Sequence, residues 1–100
     1  MNEKQLQNKI VRYLKEKKFF YFKFSDRYQY GIPDLYVLIN GFSYWFELKS
    51  ANGILSEIQK KKIESMQKNG GNISVIRDFD KFKEKIENII IFTSIGGYYE

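Results

Sequence analysis

The dipeptide Asn40-Gly41 constrains this chain more than any other feature. Asn-Gly is the strongest short signal for a two-residue hairpin loop, because both loop positions need positive φ and these residues reach it at least cost. The flanking segments 34–39 and 42–49 are rich in β-branched and aromatic residues, so both are predicted strands. A two-residue loop also fixes register: Ile39 pairs with Phe42, and each step outward pairs the next two residues. At the ends of the hairpin this sets Asp34 opposite Glu47, with Cβ atoms about 5 Å apart on one face of the sheet. Like charges in that position destabilise, so a purely structural hairpin gains nothing from them. A divalent cation between them reverses the sign. Lys49, two residues on, falls on the same face by strand alternation. Its ammonium is placed to hold a phosphate or to orient an attacking water, and the Leu48 backbone carbonyl is a candidate further ligand. The plain alternative is that Asp34 opens a strand after Pro33, with Glu47 and Lys49 on a solvated face.

Absent residue types narrow the chemistry. The 100-residue chain has no cysteine and no histidine. That excludes disulfides, thiolate or imidazole zinc sites, cysteine nucleophiles and Ser-His arrangements. A metal must be held by oxygen, which favours Mg²⁺, Mn²⁺ or Ca²⁺. A net charge of +5 and a pI near 9.3 favour a polyanionic partner, nucleic acid before others. No apolar run, 89–92 included, approaches the ~20 residues of a membrane span, and no targeting segment is visible. The expected compartment is the cytoplasm. A content of 43% hydrophobic and 18% aromatic residues supplies one core, hence one domain over residues 1–100.

Periodicity completes the outline. Residues 3–17 suit an amphipathic helix with Leu6, Ile10, Tyr13 and Leu14 on one face. Residues 19–24 (FFYFKF) read as a strand and 25–31 as a polar, aromatic loop. Ala51-Asn52-Gly53 breaks the sheet, Ser56 starts a helix reaching about Asn69, and Gly70-Gly71 closes it. Residues 72–76 suit a fourth strand and 80–88 a third helix with Phe82, Ile86 and, just beyond it, Ile90 on one face. Residues 89–92 (IIIF) suit a last short strand or a packed tail, and the final GGYYE a loose end. The order αβββαβ plus a C-terminal helix predicts a mixed α/β sheet flanked by helices.

Ser56 and Gln59 have the form of a capping box, which by itself accounts for Gln59. Gln59 also shares a helical face with Ile63 and Met66, which turns it toward the sheet. Lys60, Lys61 and Lys62 suit a solvated face with some attraction for phosphates. Glu3, on the face of Gln7, Ile10 and Leu14, is by itself better explained by the preference for acids near a helix N-terminus. Arg27, Tyr28 and Tyr30 lie in the loop before the acids. They are candidate contacts to a DNA backbone or its bases, although polar loops with aromatics are common.

Taken together, Gly31-Ile32-Pro33-Asp34, Glu47-Leu48-Lys49 and Ser56 to Gln59 resemble the VRR-NUC group of PD-(D/E)XK nucleases. The spacing D-x₁₂-E-x-K with a following glutamine fits that group, and the likeness covers residues 3–77. Each fragment alone is common; their order on a strand–strand–helix pattern is specific. The resemblance implies a restriction-endonuclease-like fold and Mg²⁺- or Mn²⁺-dependent cleavage of DNA. By position it makes Asp34 and Glu47 metal ligands and Lys49 the residue that positions or activates the attacking water. It sets Gln59 at the active site and lets Glu3 reach the metal through water. Stand-alone domains of this size resemble viral and phage members that act as homodimers on branched DNA such as Holliday junctions, in the host cytoplasm if viral. Phe92, Tyr98 and Tyr99 would suit such a dimer interface. Lys60, Lys61, Arg27 and Tyr28 are the candidate DNA contacts. The alternatives are a non-catalytic nucleic-acid-binding module of the same fold, and an assembly or inhibitor protein using its aromatic surface.

Overall fold

The computed structural model describes residues 1–24 and 31–98, with side chains to Ser94. Asn2 caps α1 (Glu3–Glu16) through a reciprocal box with Gln5. At the other end Lys18 sits at φ 60°, so that the Lys18 and Phe19 amides bond back to the Lys15 and Leu14 carbonyls. This is a Schellman turn with lysine where glycine is usual. It reverses the chain into β1 (Phe20–Lys23), which pairs antiparallel with β2 (Leu35–Ile39).

Asn40 (φ 50°) and Gly41 (φ 86°) form the two-residue turn with both φ angles positive. The register of β2 against β3 (Phe42–Leu48) runs from Ile39↔Phe42 to Leu35↔Phe46, as the turn predicts. The Asn40 side-chain Nδ2 also donates to Thr93 Oγ1 at 2.9 Å, tying the hairpin tip to the last helix. Ser56 and Gln59 form the capping box of α2 (Glu57–Lys68). Gly70 at φ 84° ends it, with the Gly70 and Gly71 amides bonded to the Gln67 and Met66 carbonyls. The chain then returns as β4 (Asn72–Ile76), parallel to β3, giving a mixed sheet in the order β1-β2-β3-β4.

Two expectations fail at the C-terminus. Residues 89–92 are not a strand or a packed tail, and GGYYE is not loose as far as Tyr98. Residues 89–92 and 96–98 lie in α3 (Phe79–Tyr98), which starts two residues before Lys81, whose amide donates to Asp78 Oδ1. The physical reason is packing. Phe82, Ile86, Ile89 and Thr93 fall at helical spacing and are buried together, which overrides the strand preference of three consecutive isoleucines.

Alternation along the strands sorts the layers. Leu35, Val37, Ile39, Tyr44, Phe46 and Leu48 point to one face and pack there with α1 and α3 in the core. The opposite face carries Phe20, Phe22, Tyr36, Leu38, Ser43, Trp45 and Glu47. There α2 packs over the β3–β4 half, where Ile63 and Ile73 are buried, while Phe20 and Phe22 on β1 are more than half exposed. No helix among the described residues is long and apolar enough to cross a membrane.

Candidate functional site

The register that the turn imposes continues one step past the paired residues and brings Asp34 to Glu47. Pro33 has no amide hydrogen to extend the ladder, and β2 begins only at Leu35. Asp34 nevertheless stays aligned, because its carbonyl accepts the Phe24 amide at 2.7 Å. Its side chain completes the pairing that the backbone gives up: Asp34 Oδ2 accepts the Leu48 amide at 2.8 Å. The Lys49 amide bonds to Ile76 on β4, so the Leu48 carbonyl lies on the β2 side of the strand, toward Asp34.

Glu47 does not sit on a solvated face. It is 1% exposed, enclosed by the sheet and the first turn of α2. Gln59 Nε2 donates to Glu47 Oε2 at 3.2 Å, while Gln59 Oε1 accepts the Ser56 amide at 2.9 Å. Gln59 therefore caps α2 and reaches Glu47 at the same time, through opposite ends of one amide. Glu47 Oε1 is buried and has no hydrogen-bond donor. The Asp34 carboxyl lies against Glu47 and can bond to it only when one of the two carries a proton.

These surroundings raise the Glu47 pKa from 4.5 to about 8. Burial is the largest cause, followed by the Asp34 carboxyl, with a smaller contribution from Glu3; Lys49 acts in the opposite sense. An unsatisfied buried oxygen held against a second carboxyl is costly for an empty core. The donor set is right for a hard divalent cation: two carboxylates, a backbone carbonyl nearby, and no sulfur or imidazole. No group of three or more acids able to hold a metal forms among the described residues, so Glu3 approaches the pair electrostatically without joining it.

Close approach explains the glycine before the acids. Gly31 has φ 82°, and a Cβ there would lie 2.8 Å from the Ile58 carbonyl oxygen in the first turn of α2. The loop carrying Asp34 and the helix carrying Gln59 thus meet at a position only glycine fits. Arg77 holds the far side of the site. Its guanidinium donates to the Ser50 carbonyl at 2.9 Å and the Gly53 carbonyl at 2.5 Å, fixing the loop that follows Lys49. Sequence reasoning missed Arg77, whose only signal is its position directly after β4.

Lys49 is half-buried on the face of the two acids. Both ion pairs among the described residues lie on α2 instead, Lys60–Glu57 at 3.2 Å and Lys68–Glu64 at 3.0 Å. Lys60 and Lys61 are exposed on that helix. Arg27, Tyr28 and Tyr30 lie outside the described residues. No family model matches the chain, and no curated protein matches it.

Proposed function

We propose that this chain is a metal-dependent DNA endonuclease of the VRR-NUC type, with a PD-(D/E)XK fold, that hydrolyses phosphodiester bonds. One observation carries the reading: a buried glutamate with an unpartnered oxygen, held against a second carboxyl and beside a lysine on the same sheet face. A structural hairpin gains nothing from that arrangement, and a divalent cation removes its cost.

Mg²⁺ or Mn²⁺ would be held by Asp34, Glu47 and the Leu48 carbonyl, with Glu3, whose charge acts on Glu47, reaching the ion only through water. Bound there, the ion supplies Lewis acidity, which acidifies water and offsets charge on the phosphoryl oxygens. The protein's own groups do the rest. The Leu48 amide fixes the Asp34 carboxylate, and the Gln59 amide fixes the Glu47 carboxylate, so neither must reorganise as charge develops. The Lys49 ammonium orients the attacking water and neutralises the phosphate it approaches. Water adds to phosphorus, the bond from phosphorus to one sugar oxygen breaks, and the departing oxygen takes up a proton. The net charge of +5 and the exposed Lys60 and Lys61 favour a polyanionic substrate. In this reading the enzyme works as a homodimer whose two sites address branched DNA such as a Holliday junction.

The test is cleavage of four-way, flap and linear DNA with Mg²⁺, Mn²⁺, Ca²⁺ or EDTA. Cleavage that requires Mg²⁺ or Mn²⁺ and disappears in Asp34→Ala supports the proposal. Cleavage at the wild-type rate by Asp34→Ala refutes the site assignment. Salt-dependent DNA binding with no turnover in any ion leaves only a binding module.

A further inference from the structure

The half of the sheet face that α2 leaves bare is aromatic, and it runs into the acid pair. Register places three rows across it: Phe20 beside Leu38, Phe22 beside Tyr36 and Trp45, and Phe24 beside Asp34. The rings form one connected group. Phe20 and Phe22 meet edge to face at 5.1 Å, and Phe22 lies 6.4 Å from Phe24. Phe24 stacks on Trp45 at 5.4 Å with 24° between planes, and Trp45 meets Tyr36 at 5.1 Å. Phe20 and Phe22 are 53% and 55% exposed, Phe24 and Leu38 close to two-fifths. A contiguous exposed patch of this kind marks a binding surface more often than an accident of folding.

We propose that this face is a stacking platform for the unpaired bases of single-stranded DNA next to the scissile phosphate. Three features favour that occupant. Aromatic side chains on a sheet face take successive bases, and alternate residues on a strand stand about 7 Å apart, comparable to the repeat of an extended nucleotide chain. The edge of β1 is basic on its α1 side: Arg12, Lys15 and Lys23 line a groove between α1 and β1 on the opposite face of the sheet from the rings, with Glu16 the one acid among its lining residues. A strand whose backbone runs along the outer edge of β1 meets these cations from the α1 side and turns its bases over the edge onto Phe20, Phe22 and Phe24. The platform also adjoins Asp34, so a base stacked on Phe24 brings its phosphate to the acid pair. The inference rests on the nuclease reading for its choice of occupant, and it narrows the branched substrates to those with unpaired bases beside the cut, such as flaps, in preference to fully paired four-way junctions.

Trp45 is the only tryptophan in the chain and lies within the platform, so its emission reports on stacking directly. Oligothymidine is titrated into the intact protein in EDTA, where no cleavage occurs, with a duplex of equal length as the comparison. The expected result is saturable quenching by the single strand and little by the duplex. Phe22→Ala and Phe20→Ala should each weaken binding about tenfold, the scale of one lost base stack. Both side chains are exposed on an edge strand, so both variants should fold, which circular dichroism verifies. Lys23→Gln should flatten the salt dependence of binding. Equal quenching by duplex, or unchanged affinity in both phenylalanine variants, overturns the proposal. So does sedimentation showing that a second copy covers this face and that Phe22→Ala releases it. Platform binding without cleavage in any divalent ion would sink the nuclease reading alone, while cleavage without single-strand preference would sink the platform alone.

Discussion

Replacing Glu47 by glutamine should stabilise the metal-free protein. Glu47 is 1% exposed, and its pKa rises from 4.5 to about 8 because burial, and then Asp34, oppose its ionisation. A carboxyl raised in this way contributes stability that is fully present below the unfolded pKa and lost as pH rises through the folded one. Between these limits the loss approaches about 1.4 kcal/mol per pH unit. Relative to the acidic limit, wild type should therefore have lost on the order of 3 kcal/mol at pH 7 and on the order of 5 kcal/mol above pH 8. Glutamine has the same shape, keeps an acceptor for Gln59 Nε2 and carries no charge. Urea unfolding in EDTA at several pH values should show Glu47→Gln more stable than wild type at neutral pH, with the gap closing toward pH 4. Added Mg²⁺ should stabilise wild type and leave the variant nearly unchanged. A variant less stable than wild type at pH 7, or a gap that does not shrink on acidification, would refute the electrostatic account of the site.

Gly31→Ala should cost about 1–3 kcal/mol, since it forces a side chain into positive φ and against the Ile58 carbonyl; urea midpoints measure this. On the proposed nuclease reading, the same variant should also lose cleavage beyond its unfolded fraction, because it pushes the Asp34 loop away from Gln59. Asn40→Ala loses both the left-handed turn preference and the Thr93 hydrogen bond, for about 1–3 kcal/mol, whereas Asn40→Gly keeps the turn and should lose only the smaller, bond-derived part. Lys18→Gly should raise stability by about 1 kcal/mol by relieving φ 60° at the end of α1, visible as a higher thermal midpoint.

What could be read in advance follows from how local each determinant is. Asn40-Gly41 encodes turn and register within two residues, so the meeting of Asp34 and Glu47 was legible. Ser56 and Gly70 likewise mark the ends of α2 through local backbone chemistry. Isoleucines 89–91 were ambiguous because a short β-branched run fits a strand or a buried helix equally; Phe82, Ile86 and Thr93 decide it only through the folded core. Lys18 gave no warning, since the turn it makes is dictated by where Phe19 must enter the core. The burial of Glu47 and the bare half of the sheet were equally hidden, because both depend on where α2 lies across the strands.

That placement of α2 links the two liabilities of the fold. Shifted toward β1, the helix would cover the aromatic rows but uncover Glu47 and withdraw Gln59 from it. Where it stands, it excludes water from one carboxylate and leaves Phe20 and Phe22 in water. Each feature by itself lowers stability: one buries charge, the other exposes apolar surface. On the proposed reading a divalent cation would relieve the first and a stacked strand of bases the second, and the two features adjoin at Asp34. If both ligands belong to this site, their stabilising effects should reinforce each other, because a phosphate drawn to the cation also brings its base to Phe24. Thermal midpoints with Ca²⁺ alone, oligothymidine alone and both together measure this. A combined shift no larger than the sum of the separate shifts would show the two surfaces to be independent.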